Sequence, residues 1–360
     1  MRVVIAPDSF KGSLSAPQVC VALARGLARV WPDVIVVARP MADGGEGTAA
    51  ALSATLGGWA ESLDLGEEQP SVPFTRLADG RCVLELSTCA RLSSGPLGAL
   101  HEHTAVAGAA LGVLMARDEP VIVAVGGTTS TDGGTGAACS CGWRFLDRAG
   151  RPLPPGGGPL RDLARIESGT VPPDAGPKIV AACDVDNPLC GPRGAARLFA
   201  PQKGASPEEV EVLAEGLEVL NRRLVEDVGV DISGAPGAGA GGGMGAGLHA
   251  FFGAELISGA ELVARASGLE EAIASADLVV TGEGRIDASS FRGKVLGHVA
   301  DLCRRRGVTC LAVAGEVRAT TDELRGAGVR DHISLVAGHS DAAAAVMEAA
   351  IQLFSRFEGR

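Results

Sequence analysis

The sequence predicts an α/β protein, on three observations. Apolar runs recur at residues 3–6, 34–38, 83–86, 121–125, 179–182, 278–281, 311–314 and 333–336. They are rich in Val and Ile and do not alternate with polar residues, which fits strands covered on both faces of a parallel or mixed sheet. Stretches with helix-start signals lie between them, and strands alternating with helices define the α/β class. The 360 residues, 46% of them hydrophobic, suffice for two ordinary cores, so two domains are expected.

The elements follow in order. After run 3–6 comes Ser15-Ala16-Pro17-Gln18. A Ser hydroxyl can accept from the N–H three residues on while the Gln side chain accepts from the Ser N–H, a capping box that starts a helix toward Trp31. Ser206-Pro207-Glu208-Glu209 repeats it, with Pro207 at the first helical position, where a missing N–H costs nothing. Val210, Leu213, Leu217, Leu220 and Leu224 then recur at three- and four-residue steps, one apolar stripe. Ser258–Glu261 and Thr320–Glu323 carry the same start signal. Residues 150–162 and 169–178 are rich in Pro and Gly and read as surface loops. Segment 234–253, GAPGAGAGGGMGAGLHAFFG, runs directly into an apolar helix. A flexible linker carries more Ser and charge, so an ordered, packed Gly-rich loop is expected here.

Composition excludes several partner classes. The formal net charge of -11 repels nucleic acid and anionic membranes at long range. Aromatics are only 3% and Tyr is absent, which leaves little for base stacking. A small anionic substrate stays open, because salt screens exposed charges beyond about 8 Å. Nine cysteines without a CxxC point to a reducing, cytoplasmic setting. No leader is expected, because Asp8 and Lys11 interrupt the N-terminal apolar run, and no run reaches the ~18 residues of a membrane span. The Cys139/Cys141 and His101/His103 pairs lack second pairs and read as packing and surface residues. Nothing in the chain decides between a monomer and a homodimer.

Chemistry concentrates where the apolar runs stop. Run 3–6 leads to Asp8, Ser9 and Lys11; run 34–38 to Asp43, Gly44, Gly45 and Glu46; run 121–125 to GGTTSTDGGTG. Run 179–182 leads to CDVDNPLCG and run 278–281 to GEGRIDASSFRGK. One Asp-Gly turn is ordinary punctuation. Five polar, Gly-containing turns at the carboxyl ends of strands would face one ligand crevice if the strands run parallel. Gly-rich backbone suits phosphate, because its N–H groups can converge on an anion. No GxxxxGK[ST] occurs, and GAGAGG at 237–242 matches GxGxxG only within a Gly/Ala run. A nicotinamide-dependent dehydrogenase is therefore not supported. Carboxylates, Lys and Arg beside Gly loops form the parts list of phosphoryl transfer, in which carboxylates hold Mg²⁺ and cations offset phosphate charge. Lys11, Lys203, Arg285 and Lys294 are the cations in question.

IAPDSFKGSLSA (5–16), ADGGEGT (42–48), GGTTSTDGGTG (126–136), ACDVDNPLCG (182–191), FAPQKGA (199–205), PGAGAGGGMGAGL (236–248) and DLVVTGEGRIDASSFRGK (277–294) occur in this order along nearly the whole chain. With these segments the chain resembles the bacterial glycerate kinases of the type I family. The resemblance implies ATP- and Mg²⁺-dependent phosphorylation of D-glycerate, with 2-phosphoglycerate as the expected product. It also implies two α/β domains. A flavodoxin-like domain would be formed by both chain ends, residues 1–70 and 268–360, with residues 71–267 inserted and the active site in the cleft between them. The chain departs from the family at His103–Leu111, where Ala105 and Val106 replace a Tyr and a Gly, and at 87–93. A 3-phosphoglycerate-forming kinase, or a non-catalytic protein that binds a sugar acid or nucleotide, is the alternative.

Roles follow from residue chemistry. Lys11 is assigned to catalysis, and Asp184 or Asp287 to the base at the acceptor hydroxyl. Asp8, Ser9, Asp43, Glu46, Asn187 and Arg285 are candidates for glycerate contacts, with the acids also suited to Mg²⁺. Gly126, Gly127, Thr128, Asp132, Gly133, Gly134, Lys203, Gly241, Gly242 and Gly243 are candidates for the nucleotide phosphates. Asp184 and Glu283 are candidate metal ligands.

Overall fold

The structure is a computed structural model and describes residues 1–66, 70–92, 97–169, 178–291, 293–335 and 341–358. Along the chain the strands are β1 (Arg2–Ile5), β2 (Ile35–Ala38), β3 (Gly58–Leu63), β4 (Val72–Leu77), β5 (Cys82–Glu85), β6 (Val121–Ala124), β7 (Arg144–Leu146), β8 (Arg165–Glu167), β9 (Ile179–Cys183), β10 (Glu255–Ser258), β11 (Leu278–Ile286), β12 (Thr309–Val317) and β13 (Val329–Ser334). The chain folds as two compact units. The first comprises Met1–Asp43, Gly47–Gly58 and Gly259–Arg360; the second comprises Gly44–Glu46 and Trp59–Ser258. The junctions expected at 70/71 and 267/268 thus fall at 58/59 and 258/259. The reason is local: β3 joins the second unit's sheet, and helix Gly259–Ser267 packs on helix Thr48–Leu56 of the first unit.

The first unit is built on a parallel sheet in the order β13-β12-β11-β1-β2. Counted within the unit this is 2-1-3-4-5, the flavodoxin-like doubly wound order. Its switch point lies between β1 and β11, where connections leave toward opposite sides and a crevice opens at the strands' carboxyl ends. Val3, Val4 and Ile5 of β1 are fully buried, as expected of a strand covered on both faces. Helix Ala16–Val30 starts with the predicted box: Gln18 Oε1 accepts from Ser15 N at 2.9 Å, and Ser15 Oγ accepts from Gln18 N at 3.4 Å. Leu23 and Leu27 of that helix share a core with Leu353 and Phe354 of helix Ala342–Glu358, each such burial contributing about 1.5–3 kcal/mol.

The second unit holds a sheet in the order β10-β9-β6-β5-β4-β3. β5, β6, β9 and β10 run parallel and β4 is antiparallel to β5. β7 and β8 form a separate antiparallel ribbon. β4 was not expected, because Val72, Phe74 and Leu77 face inward while Pro73 faces out, so no continuous apolar run marks it. The capping boxes at Ser206 and Thr320 both form, whereas the helix after Ser258 begins at Gly259. Zone 150–162 is not all surface: Gly156 and Gly157 are buried, and a Cβ on Gly157 would lie 2.2 Å from the Thr131 carbonyl oxygen. Residues 170–177 and residue 336, parts of the expected loop 169–178 and strand 333–336, lie outside the described residues. Among the described residues no helix is long and apolar enough to cross a membrane.

Candidate functional site

In the first unit, the carboxyl ends of β1 and β11 enclose a cavity of about 350 Å³ lined by Asp8, Ser9, Lys11, Asp43, Glu283, Gly284, Arg285, Asp287, Lys294 and Glu316. It lies at the switch point, where the topology places ligand crevices. The backbone fixes it there. Asp8 N donates to the Gly282 carbonyl at 2.8 Å, so the turn after β1 is tied to β11. Of the residues assigned from sequence, Asp8, Ser9, Lys11, Asp43, Glu283, Arg285 and Asp287 come together in this one cavity.

Its electrostatics are uneven. Burial, then the neighbouring Asp43, pushes the Asp8 carboxyl up to about 8, although Ser9 N donates to its Oδ1 at 2.6 Å. Burial likewise raises Glu283 to about 7, with the Ser290 hydroxyl and the Lys294 ammonium pulling the other way. Glu283 Oε1 is buried and has no hydrogen-bond partner among the described residues. Asp287 is different: Ser289 donates to its Oδ1 from Oγ at 2.6 Å and from N at 2.8 Å, and holds it below the usual carboxylate range. Its carboxylate therefore shapes a turn. Lys11 Nζ stands 4.0 Å from Asp43 and is mostly exposed.

In the second unit the Gly-rich segments interlock. Helix Ala240–Phe252 opens with Gly241, Gly242 and Gly243 at φ 60, 69 and 91°, a left-handed turn only glycine adopts cheaply. Gly133 N donates to the Gly242 carbonyl at 3.1 Å. A Cβ on Gly242 would lie 2.1 Å from the Ser130 carbonyl oxygen and 2.8 Å from Thr131 Cα. The expected packed loop is thus what segment 234–253 forms. Gly242→Ala combines a left-handed alanine with a backbone overlap and is expected to destabilise the protein by about 2–4 kcal/mol, read by denaturant unfolding; an unchanged midpoint would contradict this packing.

Lys203 Nζ donates to the Ser130 carbonyl at 2.6 Å and to Thr128 Oγ1 at 3.3 Å. Burial draws its ammonium down to about 8, while Asp132 and Asp184 hold its proton on. Asp184 lies against Gly126, whose Cβ, if it had one, would sit 2.8 Å from Asp184 Oδ2. Asp132 is fully buried and its oxygens face inward. Oδ2 accepts from Thr104 N, Thr104 Oγ1 and Gly136 N at 2.9, 2.8 and 3.0 Å, and Oδ1 accepts from Gly134 N at 3.2 Å. Its part is to hold the loop. Asn187 is engaged similarly: Nδ2 donates to the Arg193 carbonyl at 3.0 Å, and its own carbonyl accepts from Gly239 N at 2.9 Å. Glu46 is exposed and pairs with Arg91 at 3.5 Å, a contact worth about 0–1 kcal/mol.

The profile of the glycerate kinase family matches residues 3–358. The chain belongs to the glycerate kinase family. It is 38% identical over 345 residues to a glycerate kinase of Halalkalibacterium halodurans, covering 93% of this chain and 90% of that one. It is also 38% identical over 326 residues to the glycerate 2-kinase of Escherichia coli, covering 88% and 86%. A crystal structure of a chain assigned as glycerate kinase 2 from Salmonella typhimurium LT2 superposes with a TM-score of 0.80 at 32% identity, covering 100% of this chain and 98% of that one.

In this glycerate kinase family member, the departure at His103–Leu111 falls beside the Gly loop. Val106 and Ala107 line a pocket with Thr128, Thr129 and Ser130 whose volume, about 10 Å³, is room for about one water. Three residues of the first unit's cavity had no role assigned from sequence, Gly284, Lys294 and Glu316. Lys294 had been noted as a cation only. Glu316 was not assigned from sequence: strand β12 continues past the apolar run 311–314 to Val317, so Glu316 is a strand residue beyond that run.

Proposed function

We propose that this chain transfers the γ-phosphoryl group of ATP to the 2-hydroxyl of D-glycerate, giving 2-phosphoglycerate, in a reducing cytoplasm that suits its nine free thiols. The observation that carries the reading is the switch-point cavity, where Lys11, Arg285 and Lys294 face Asp8, Asp43 and Glu283. Glycerate needs cations for its carboxylate and acceptors for its hydroxyls, and both are present. Glu283 is the better base than Asp287, whose oxygen is committed to Ser289. A carboxylate raised to about 7, with an oxygen that has no partner among the described residues, is poised to take the hydroxyl proton. The ordered Gly loops and Lys203 suit the nucleotide phosphates, with Asp132 and Asn187 bracing the loops from behind.

Mg²⁺ fits the oxygen donors. Among the described residues no three His, Cys, Asp or Glu side chains group to hold a metal ion. Mg²⁺ commonly takes one or two carboxylates and completes its shell with phosphate oxygens and water, so Asp184 beside Gly126 would hold it with the nucleotide. There the ion would offset phosphate charge.

The test is ADP release that depends on D-glycerate and ceases when EDTA removes the divalent ion. Proton-coupled phosphorus NMR then identifies the product: phosphate on carbon 2 couples to one proton and on carbon 3 to two. Absence of glycerate-dependent ADP would end the kinase reading, and a triplet would replace the 2-phospho product by the 3-phospho isomer.

A further inference from the structure

Arg285 and Glu316 face each other across neighbouring parallel strands as register partners of β11 and β12. The sheet itself therefore sets their pairing. Arg285 Nε donates to Glu316 Oε2 at 3.0 Å, and Arg318 Nε donates to Glu316 Oε1 at 2.9 Å. Each oxygen of one carboxylate is thus engaged by a different guanidinium. Arg318 keeps Glu316 ionised, holding it below the usual carboxylate range, and leaves the trio with one net positive charge. Among the described residues no hydrogen bond engages the two terminal nitrogens of Arg285. Both Arg285 and Glu316 line the switch-point cavity.

An arginine secured through Nε retains a planar pair of terminal N–H donors, spaced to meet both oxygens of a carboxylate. We propose that Glu316 is a positioning residue that presents the terminal nitrogens of Arg285 to the acceptor's carboxylate, and so selects carboxylate-bearing acceptors over neutral polyols. This rests on the reading of the cavity as the glycerate site. Glu316 touches no substrate itself. It fixes one torsion-rich side chain in advance, so less rotamer freedom is lost when the acid binds. Arg318 extends the pairing on the far side of Glu316, so the carboxylate is held from both sides.

The test is a KM-against-kcat split. Glu316→Gln keeps shape and loses charge. It is expected to raise the KM for D-glycerate about tenfold with kcat within threefold and the KM for ATP unchanged. Arg285→Lys keeps charge and loses the fork, and should reproduce the same split. Propanoate, a carboxylate without hydroxyls, should weaken as an inhibitor by the same factor, while glycerol should inhibit both enzymes equally. A glycerate KM within twofold of wild type, or equal losses in every constant, would make the trio an ordinary surface ion pair and overturn the proposal. Calorimetric titration with propanoate separates the two levels of inference. If the wild type shows no glycerate-dependent ADP release, propanoate binding that Glu316→Gln weakens tenfold still supports the clamp. Equal binding by both proteins rejects it.

Discussion

Glu283→Gln is expected to lower kcat by about 10²–10⁴-fold, the usual worth of a general base, with the fold intact. Glutamine has the same shape and cannot take the acceptor proton. Among the described residues Oε1 has no partner, so the amide breaks none of their hydrogen bonds there. The pH behaviour adds a second readout. Glu283 and Asp8 are raised to about 7 and about 8 in the folded protein, above the ordinary carboxylate range near 4. Between those values the folded state holds more protons than the unfolded chain, so stability falls as pH rises from about 4 to about 8. The variant loses the Glu283 part of that decline and should melt at or above the wild-type temperature at pH 8. It should also lose the rising limb of kcat/KM near pH 7. A kcat within a few-fold of wild type would pass the proton to another carboxylate, with Asp8 next in line.

Asp132→Ala carries the largest expected stability cost. The change strands Thr104 N, Gly134 N and Gly136 N in a buried setting, together with the Thr104 hydroxyl that itself accepts from Ala137 N at 2.9 Å. An orphaned buried donor costs about 1–3 kcal/mol, and with partial relaxation the sum is about 3–5 kcal/mol. For a unit of this size that corresponds to a fall in Tm of roughly 10–15 °C by scanning calorimetry. The experiment also separates two readings of this residue. A Tm within about 2 °C of wild type combined with lost ATP affinity would make Asp132 a nucleotide contact and not a loop brace.

The central strands could be read from the sequence because parallel strands buried on both faces appear as unbroken apolar runs. β1, β6, β9 and β11 are such strands. The helix starts at Ser15, Ser206 and Thr320 could be read because a capping box is local chemistry. β3 and β4 could not, since outer strands mix exposed and buried positions and resemble loops. The site shows the same division. Strand-end position identified Asp8, Lys11, Glu283 and Arg285, because β1 and β11 are adjacent parallel strands of one sheet, whereas β6 and β9, whose turns were expected at the same crevice, belong to the other sheet. Whether an acid there faces the cavity or the backbone is set by its hydrogen bonds, and these are tertiary. Asp132 and Asp287 look like Asp8 in the sequence, yet one braces a loop and the other closes a turn. Glu316 escaped notice because its partner Arg285 lies on the neighbouring strand, a register that no linear motif displays.

The pairing of β1 has a consequence for how the protein is made. Its neighbour on one side is β2, but on the other it is β11, and the Thr281 hydroxyl that donates to the Ala6 carbonyl at 2.8 Å comes 275 residues after its acceptor. A ribosome therefore delivers the N-terminal strands long before the strand that covers their open edge. The stretch Trp59–Ser258, with its own sheet and core, is synthesised complete in that interval. Early compaction of this inserted portion shortens the effective loop that must close before β1 and β11 meet. Until β11 is made, the edge of β1 that it covers has no partner strand, the kind of open edge that invites pairing with other chains.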